Sequence, residues 1–194
     1  MISDDLYIKT TEAINLVHTE DETLINDGAK TVASELVYSQ RMLAMLEVFD
    51  KGSSKLLRLA VQCQHLRRWN IPRTNYSMDR RGYHQWRRAV MEYQLNQTRE
   101  ILIQNKVDID DIDFILDGLS NQGNKAHATA QIIMDTACLV FIKWYLEAFA
   151  AKHEQKKVND IMKKTMQKMS DKGISLVHSI DLNENVALIL SKIV

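Results

Sequence analysis

The sequence predicts an all-α, single-domain helical bundle of about seven to nine helices over residues 1–194. Three observations predict it. Apolar residues recur at helical spacing along almost the whole chain, and no segment shows a convincing period of two. Punctuation is sparse, with one proline and six glycines, fewer than turn-rich sandwiches and barrels need. Hydrophobic residues make up 45% and charged residues 26%, the balance of a soluble globular protein with a substantial core.

The elements follow in order. Leu6, Ala13, Ile14 and Val17 mark a first helix over residues 4–17. Thr19 or Asp21 then caps a long second helix over 21–50, carrying Val32, Leu36, Met42, Leu43, Met45, Leu46 and Phe49, with Gly52 after it. Ser53 or Ser54 caps a third helix reaching about Arg68. Residues 70–79 hold Pro72, two asparagines and a serine and read as an ordered loop. Asp79 caps a fourth helix over 80–104, and a short acidic helix covers 108–119. Gly118 and Gly123 mark the next turn. Residues 126–152 form the most apolar helix, predicted to run through the middle of the bundle. Helices over 160–169 and 184–193 close the chain.

Charge is unevenly spread although the formal total is zero. Seven acids against two lysines fall in residues 1–30, eight arginines against three acids in 64–100, and seven lysines against three acids in 150–172. A neutral total argues against a general nucleic-acid coat protein, but leaves room for a basic pocket that holds one anion. Cys63 and Cys138 are isolated within apolar patterns, and the N-terminus lacks a basic stretch followed by an apolar one. Both features lead to the expectation of a reduced, cytoplasmic setting. The longest apolar run, Ala137–Ile142, is far short of the roughly 20 residues that span a bilayer, so no membrane partner is expected.

The stretch QCQHLRRWNIPRTNYSMDRRGYHQWRR (62–88) holds seven of the ten arginines and two of the three tryptophans. Guanidinium forks match phosphate and carboxylate bidentately and stack on rings. Arg67, Arg68, Arg73 and Arg80 are the candidate anion ligands, with Trp69, Tyr76 and Tyr83 packing a planar group. His65 lies one turn from Val61 and two from Leu57, so it faces inward beside these arginines, which bias it toward neutrality. Asp135 shares a helix face with Ile132, Leu139 and Ile142. A carboxylate there needs a partner, either a metal or cation in a site, or a structural arginine at a helix end or interface. The lysines of 152–170 either complete the site or form a solvated face. There is no glycine-rich phosphate loop, GxSxG elbow, HExxH pair or EF-hand loop.

Three short segments resemble the HD superfamily of helical metal-dependent phosphohydrolases. YSQRMLAMLEVF (38–49) has Tyr38 where that family has a histidine. AVQCQHL (60–66) has Gln64 and His65 in place of a His–Asp pair, and MDTACLVF (134–141) has Asp135 at the aspartate position. Of the four ligands that the resemblance implies, Asp135 alone keeps its type. A longer match covers most of the chain. QHLRRWNIPRTNYSMDRRGYHQWR, CLVFIKWYLEAFAAKH and IMKKTMQKMS are similar to a family called domain of unknown function 4202, whose members carry a QHIRRWxIPRxxYPMDRxGYLxWR block. This resemblance implies a helical, HD-like protein with an arginine–aromatic loop as its signature, and brings no activity.

The resulting expectation is an enzyme or binding protein for a phosphate-bearing small molecule or nucleotide, phosphohydrolase-like if an enzyme. His65 and Asp135 would form its polar centre. A divalent metal is compatible with this but is not expected to be held tightly. The rival expectation is a non-catalytic module for RNA, a nucleotide or an acidic protein, and the third is an arginine block that only ties the loop to the bundle.

Overall fold

The computed structural model describes residues 2–28 and 30–192. Ser3 starts helix α1 (Asp4–His18), its hydroxyl accepting the Leu6 N–H at 3.2 Å. The helix buries Thr10, Ile14 and His18, one residue per turn.

The expected long second helix is two elements. A hairpin of β1 (Leu24–Asp27) and β2 (Lys30–Ala33), antiparallel with Leu24 opposite Ala33, precedes α2 (Ser34–Phe49). Asp27-Gly28 sits at its turn, and Gly28 takes the left-handed backbone conformation that glycine tolerates. The strands are four residues long and mostly exposed, so they leave no alternating apolar signature. Asp21, buried, closes the base of this unit: its carboxylate accepts the Thr23 N–H at 3.0 Å and the Glu35 N–H at 3.1 Å. The second bond sets the first turn of α2, whose Ala33 provides no side-chain cap.

Helix α3 (Lys55–Cys63) begins at Ser54, as expected, but ends five residues before Arg68. It is buried from Leu59 to Cys63 and packs against α1, α2, α5 and α6. Arg67 sits at φ 51° and reverses the chain out of the turn that follows α3. Two 3₁₀ turns, Arg68–Asn70 and Arg73–Asn75, lead to α4 (Arg80–Gln104). Asp79 caps α4 by accepting the Gly82 N–H at 2.7 Å, as expected. Asp108 caps α5 (Ile109–Ser120). The ring of His127 caps α6 (Ala128–Val140), and its other nitrogen meets Asp117 at 2.6 Å.

The predicted helix over 126–152 is continuous, but passes through a π turn, Phe141–Tyr145, before α7 (Leu146–Ala151). Helix α8 (Gln155–Lys168) starts earlier than expected because Val158 and Met162 anchor its first two turns. The unexpected α9 (Asp171–Val177) is too short to show periodicity. Helix α10 (Glu184–Ser191) ends the described chain, and Ile193 of the expected last helix lies outside the described residues. Counting α6 through α7 as one, nine helices are described.

Leu46, Leu59, Leu102, Ile115, Ile133, Leu139 and Ile142 are fully buried at the centre. Each such side chain contributes roughly 1.5–3 kcal/mol of burial free energy. Among the described residues, no helix is long and apolar enough to cross a membrane.

Candidate functional site

The first turn of α2, the end of α3 and the first half of α4 converge on three side chains: Glu35, His65 and Arg68. The Nδ1 of His65 lies 3.2 Å from Glu35 Oε2, and its Nε2 lies 2.7 Å from a terminal nitrogen of Arg68. A guanidinium nitrogen only donates. His65 Nε2 therefore accepts from Arg68, and Nδ1–H donates to Glu35. The two neighbours fix one neutral tautomer. Burial holds the His65 imidazole below its ordinary value, and the Arg68 charge adds to this against the pull of Glu35. Burial works to raise Glu35, but the His65 hydrogen bond and the Arg68 charge outweigh it and keep this carboxyl below its usual range.

The ring of Tyr38 stacks on His65 with centroids 4.1 Å apart and planes 10° from parallel. Tyr38 Oη donates to Gln64 Oε1 at 2.6 Å, and Gln64 Nε2 donates to Gln122 Oε1 at 3.2 Å. Burial raises the Tyr38 phenol, so it stays protonated. The Arg68 guanidinium lies 5.0 Å from the Trp86 ring centre, and Trp86 is itself anchored by donating Nε1–H to the Ile71 carbonyl at 2.8 Å.

Three recesses meet on this array. A cleft of about 340 Å³ lies between α2 and the π turn, lined by Glu35, Tyr38, His65, Ala137, Phe141 and Tyr145. The π turn presents Phe141 and Tyr145 to it. A second cleft of about 260 Å³ lies under the proline loop, lined by Asp21, Glu35, Arg68, Trp69, Arg73 and Trp86. A recess of about 40 Å³ lies on the α4 side, lined by Gln64, His65, Arg68, Arg87, Gln94 and Gln122 among others.

The structure divides the sequence-predicted residues. His65 and Arg68 meet directly, with Trp69 and Arg73 at the edge of the second cleft. Arg73 is consumed by the loop: it donates to the carbonyls of Tyr76 at 2.9 Å, Ser77 at 2.6 Å and Asp79 at 3.3 Å. Tyr76 is half-buried against that tie. Arg67 turns the other way, to Gln97 at 3.1 Å and Glu20 at 3.0 Å. Arg80 and Tyr83 are exposed on α4 and line none of the three recesses.

Asp135 is not brought to His65. It is buried, and its two oxygens accept the Ser170 backbone N–H at 2.8 Å and the Ser170 hydroxyl at 2.6 Å. Ser170 caps α9, so Asp135 is a helix-end carboxylate whose partner is a serine and not an arginine. The lysines at 152, 156, 157, 163, 164 and 168 are exposed and line none of the three recesses.

Tyr38, Gln64 and His65, three of the positions matched to the HD pattern, do converge. They do not fit a divalent metal. Tyr38 keeps its proton and gives it to Gln64, and the fourth position, Asp135, is elsewhere. Among the described residues, no group of three or more His, Cys, Asp or Glu side chains lies close enough to hold one.

Sequence reasoning missed Glu35, Gln94 and Gln122, and noted Gln64 and Trp86 without placing them among the site residues. Glu35 lies one turn before Tyr38 on α2, but reading 21–50 as one helix hid its position in a first turn.

One consequence concerns pH. His18 is fully buried and donates Nε2–H to the Gln62 carbonyl at 2.8 Å, which leaves Nδ1 without a partner. Burial lowers its pKa, as for His65. A lowered histidine contributes stability in full above its unfolded value of 6.5, and that stability is lost as pH falls below it. Denaturant unfolding should therefore show a less stable protein at about pH 5.5 than at about pH 7.5. His18→Gln should reduce that difference.

The family described as "Domain of unknown function (DUF4202)" matches residues 8–190. No curated protein and no solved structure matches the chain. A match over nearly all of its 194 residues, including the loop and helices that build the array, means that the chain belongs to the DUF4202 family.

Proposed function

We propose that this chain binds a phosphate-bearing small molecule or nucleotide against Arg68, with His65 taking a proton from the reacting water or hydroxyl. The observation that carries this is the state of Arg68. Among the described residues, one of its five N–H groups is engaged, on His65, and no carboxylate lies within 4.0 Å. A half-buried guanidinium, pre-oriented by Trp86 and in direct ion pair with no acid, is built for an anion from outside. Arg67 and Arg73 are engaged within the protein, which supports a structural role for that part of the block.

Glu35 supplies orientation. It holds Nδ1–H, so that the lone pair on Nε2 faces outward to Arg68. An anion that draws the Arg68 fork toward itself releases that lone pair. In a hydrolysis, water oxygen then bonds to phosphorus while its proton passes to Nε2. The ester oxygen leaves and takes that proton back. The aromatic cleft beside Tyr38 and Phe141 suits the planar part of such a substrate.

The test is a thermal-shift screen of nucleotides and sugar phosphates, with and without divalent metals, on wild type, Arg68→Met and Arg67→Ala. Wild type and Arg67→Ala should gain about 5 °C at concentrations about a hundredfold above Kd, and Arg68→Met should gain nothing. Equal stabilisation of Arg68→Met, or no response by wild type, would overturn the proposal. So would RNA binding that survives Arg68→Met and collapses with salt, which would identify a surface module instead.

A further inference from the structure

We infer that the small recess on the α4 side of Arg68 receives a single terminal phosphoryl group, and that Gln94 is one of its recognition residues. The inference rests on the anion-binding reading above and adds where the anion sits and how large it is. Arg87, Val90, Met91 and Gln94 fall on one face of α4 at spacings of three, four and seven residues. That face closes the recess opposite His65, Arg68 and Gln64.

Gln94 is 6% exposed, and its Nε2 is buried without any hydrogen-bond partner. An unmade bond of this kind destabilises the fold unless something fills it. Its neighbours show what would. Arg68 and Arg87 bring two positive charges to the same space, and no Asp or Glu lines it. The Gln64 amide is held in one orientation by Tyr38 and Gln122. The unpartnered group is therefore a donor set beside two cations, which calls for oxygen atoms bearing negative charge.

Size sharpens the class. The recess is small, about 40 Å³ against about 340 Å³ for the cleft on the other side of His65, which suits one compact anionic group and not a whole substrate. A terminal phosphoryl group is such a group, with three oxygens to accept from several donors at once. A carboxylate, with two oxygens, meets fewer of the donors of Arg68, Arg87 and Gln94. The rest of the substrate then lies on the cleft side of His65, which lines both spaces.

Titration calorimetry at fixed ionic strength tests this, with inorganic phosphate, sulfate and pyrophosphate as probes. The proteins are wild type, Arg68→Met, Gln94→Met, Gln94→Glu and Arg87→Gln. Phosphate should bind wild type at least as tightly as the other two anions. Gln94→Met should weaken it about tenfold and Gln94→Glu about a hundredfold, with a smaller loss for the exposed Arg87→Gln. Gln94→Met removes an unpartnered N–H at similar volume, so without ligand it should melt no lower than wild type and keeps the test decisive should Gln94→Glu unfold.

Phosphate binding that is lost in Arg68→Met yet unchanged in both Gln94 variants overturns the recess and leaves the Arg68 reading standing. Pyrophosphate or sulfate binding tenfold tighter than phosphate overturns the monoester assignment alone. No binding of any probe to wild type overturns both readings.

Discussion

Replacing Gly82 with alanine is expected to destabilise the protein by about 3 kcal/mol or more, a fall in Tm of roughly 6–12 °C. A Cβ added at Gly82 would lie 2.0 Å from the Ser77 carbonyl oxygen and 2.8 Å from its carbon. Both are backbone atoms, so no rotamer change relieves the clash. The Ser77 carbonyl is itself gripped by Arg73 at 2.6 Å, and the Gly82 N–H is held by Asp79 at 2.7 Å. The proline loop therefore lies directly on the first turn of α4, and only a residue without a side chain admits it. The loop must lift to accept a methyl group, which would strain the Ile71 contact that anchors Trp86 and, through it, the platform under Arg68. Urea unfolding measures the stability loss, and phosphate titration should show weaker binding in the same variant. An unchanged denaturation midpoint would mean that the loop is not pinned here.

Asp135→Ala is expected to cost about 3 kcal/mol while leaving anion binding intact. Its carboxylate accepts two bonds from Ser170, and hydrogen bonds to a charged group are worth about 1.5–3 kcal/mol each. The cut also strands the Ser170 N–H and hydroxyl where α8 turns into α9. Gly173 packs so closely on this carboxylate that a Cβ there would meet it at 2.5 Å, which shows how tightly the turn is seated on α6. Denaturant unfolding paired with phosphate titration separates the two roles. A variant that stays fully stable and loses binding or turnover would return Asp135 to the functional site and refute the structural assignment.

The helical class, the caps at Ser54 and Asp79 and the apolar character of α6 were legible in the residues, because each depends on neighbours within about one turn. The hairpin was not. Its strands bury almost nothing, so no alternation marks them, and Asp27-Gly28 alone announced it. The lost boundary at Ser34 mattered for the site, since it concealed Glu35 at a helix start. The π turn was equally hidden, because one extra residue in a turn leaves apolar spacing nearly unchanged.

The arginine block shows the same division. Composition alone places many guanidinium groups near an inward-facing histidine, and says that they cannot all serve one ligand. It does not say which do. Arg67 and Arg68 are adjacent, yet a left-handed backbone at Arg67 sends one to Glu20 and the other to His65 and Trp86. By itself the sequence determined the family and the helical class, because these rest on local spacing and residue type. Tertiary structure alone decided that Arg68 meets His65 and no acid directly, that Glu35 orients His65, and that Asp135 serves a helix end. Each outcome depends on which groups lie within hydrogen-bond reach, and for His65 and Asp135 the partners are 30 and 35 residues away along the chain.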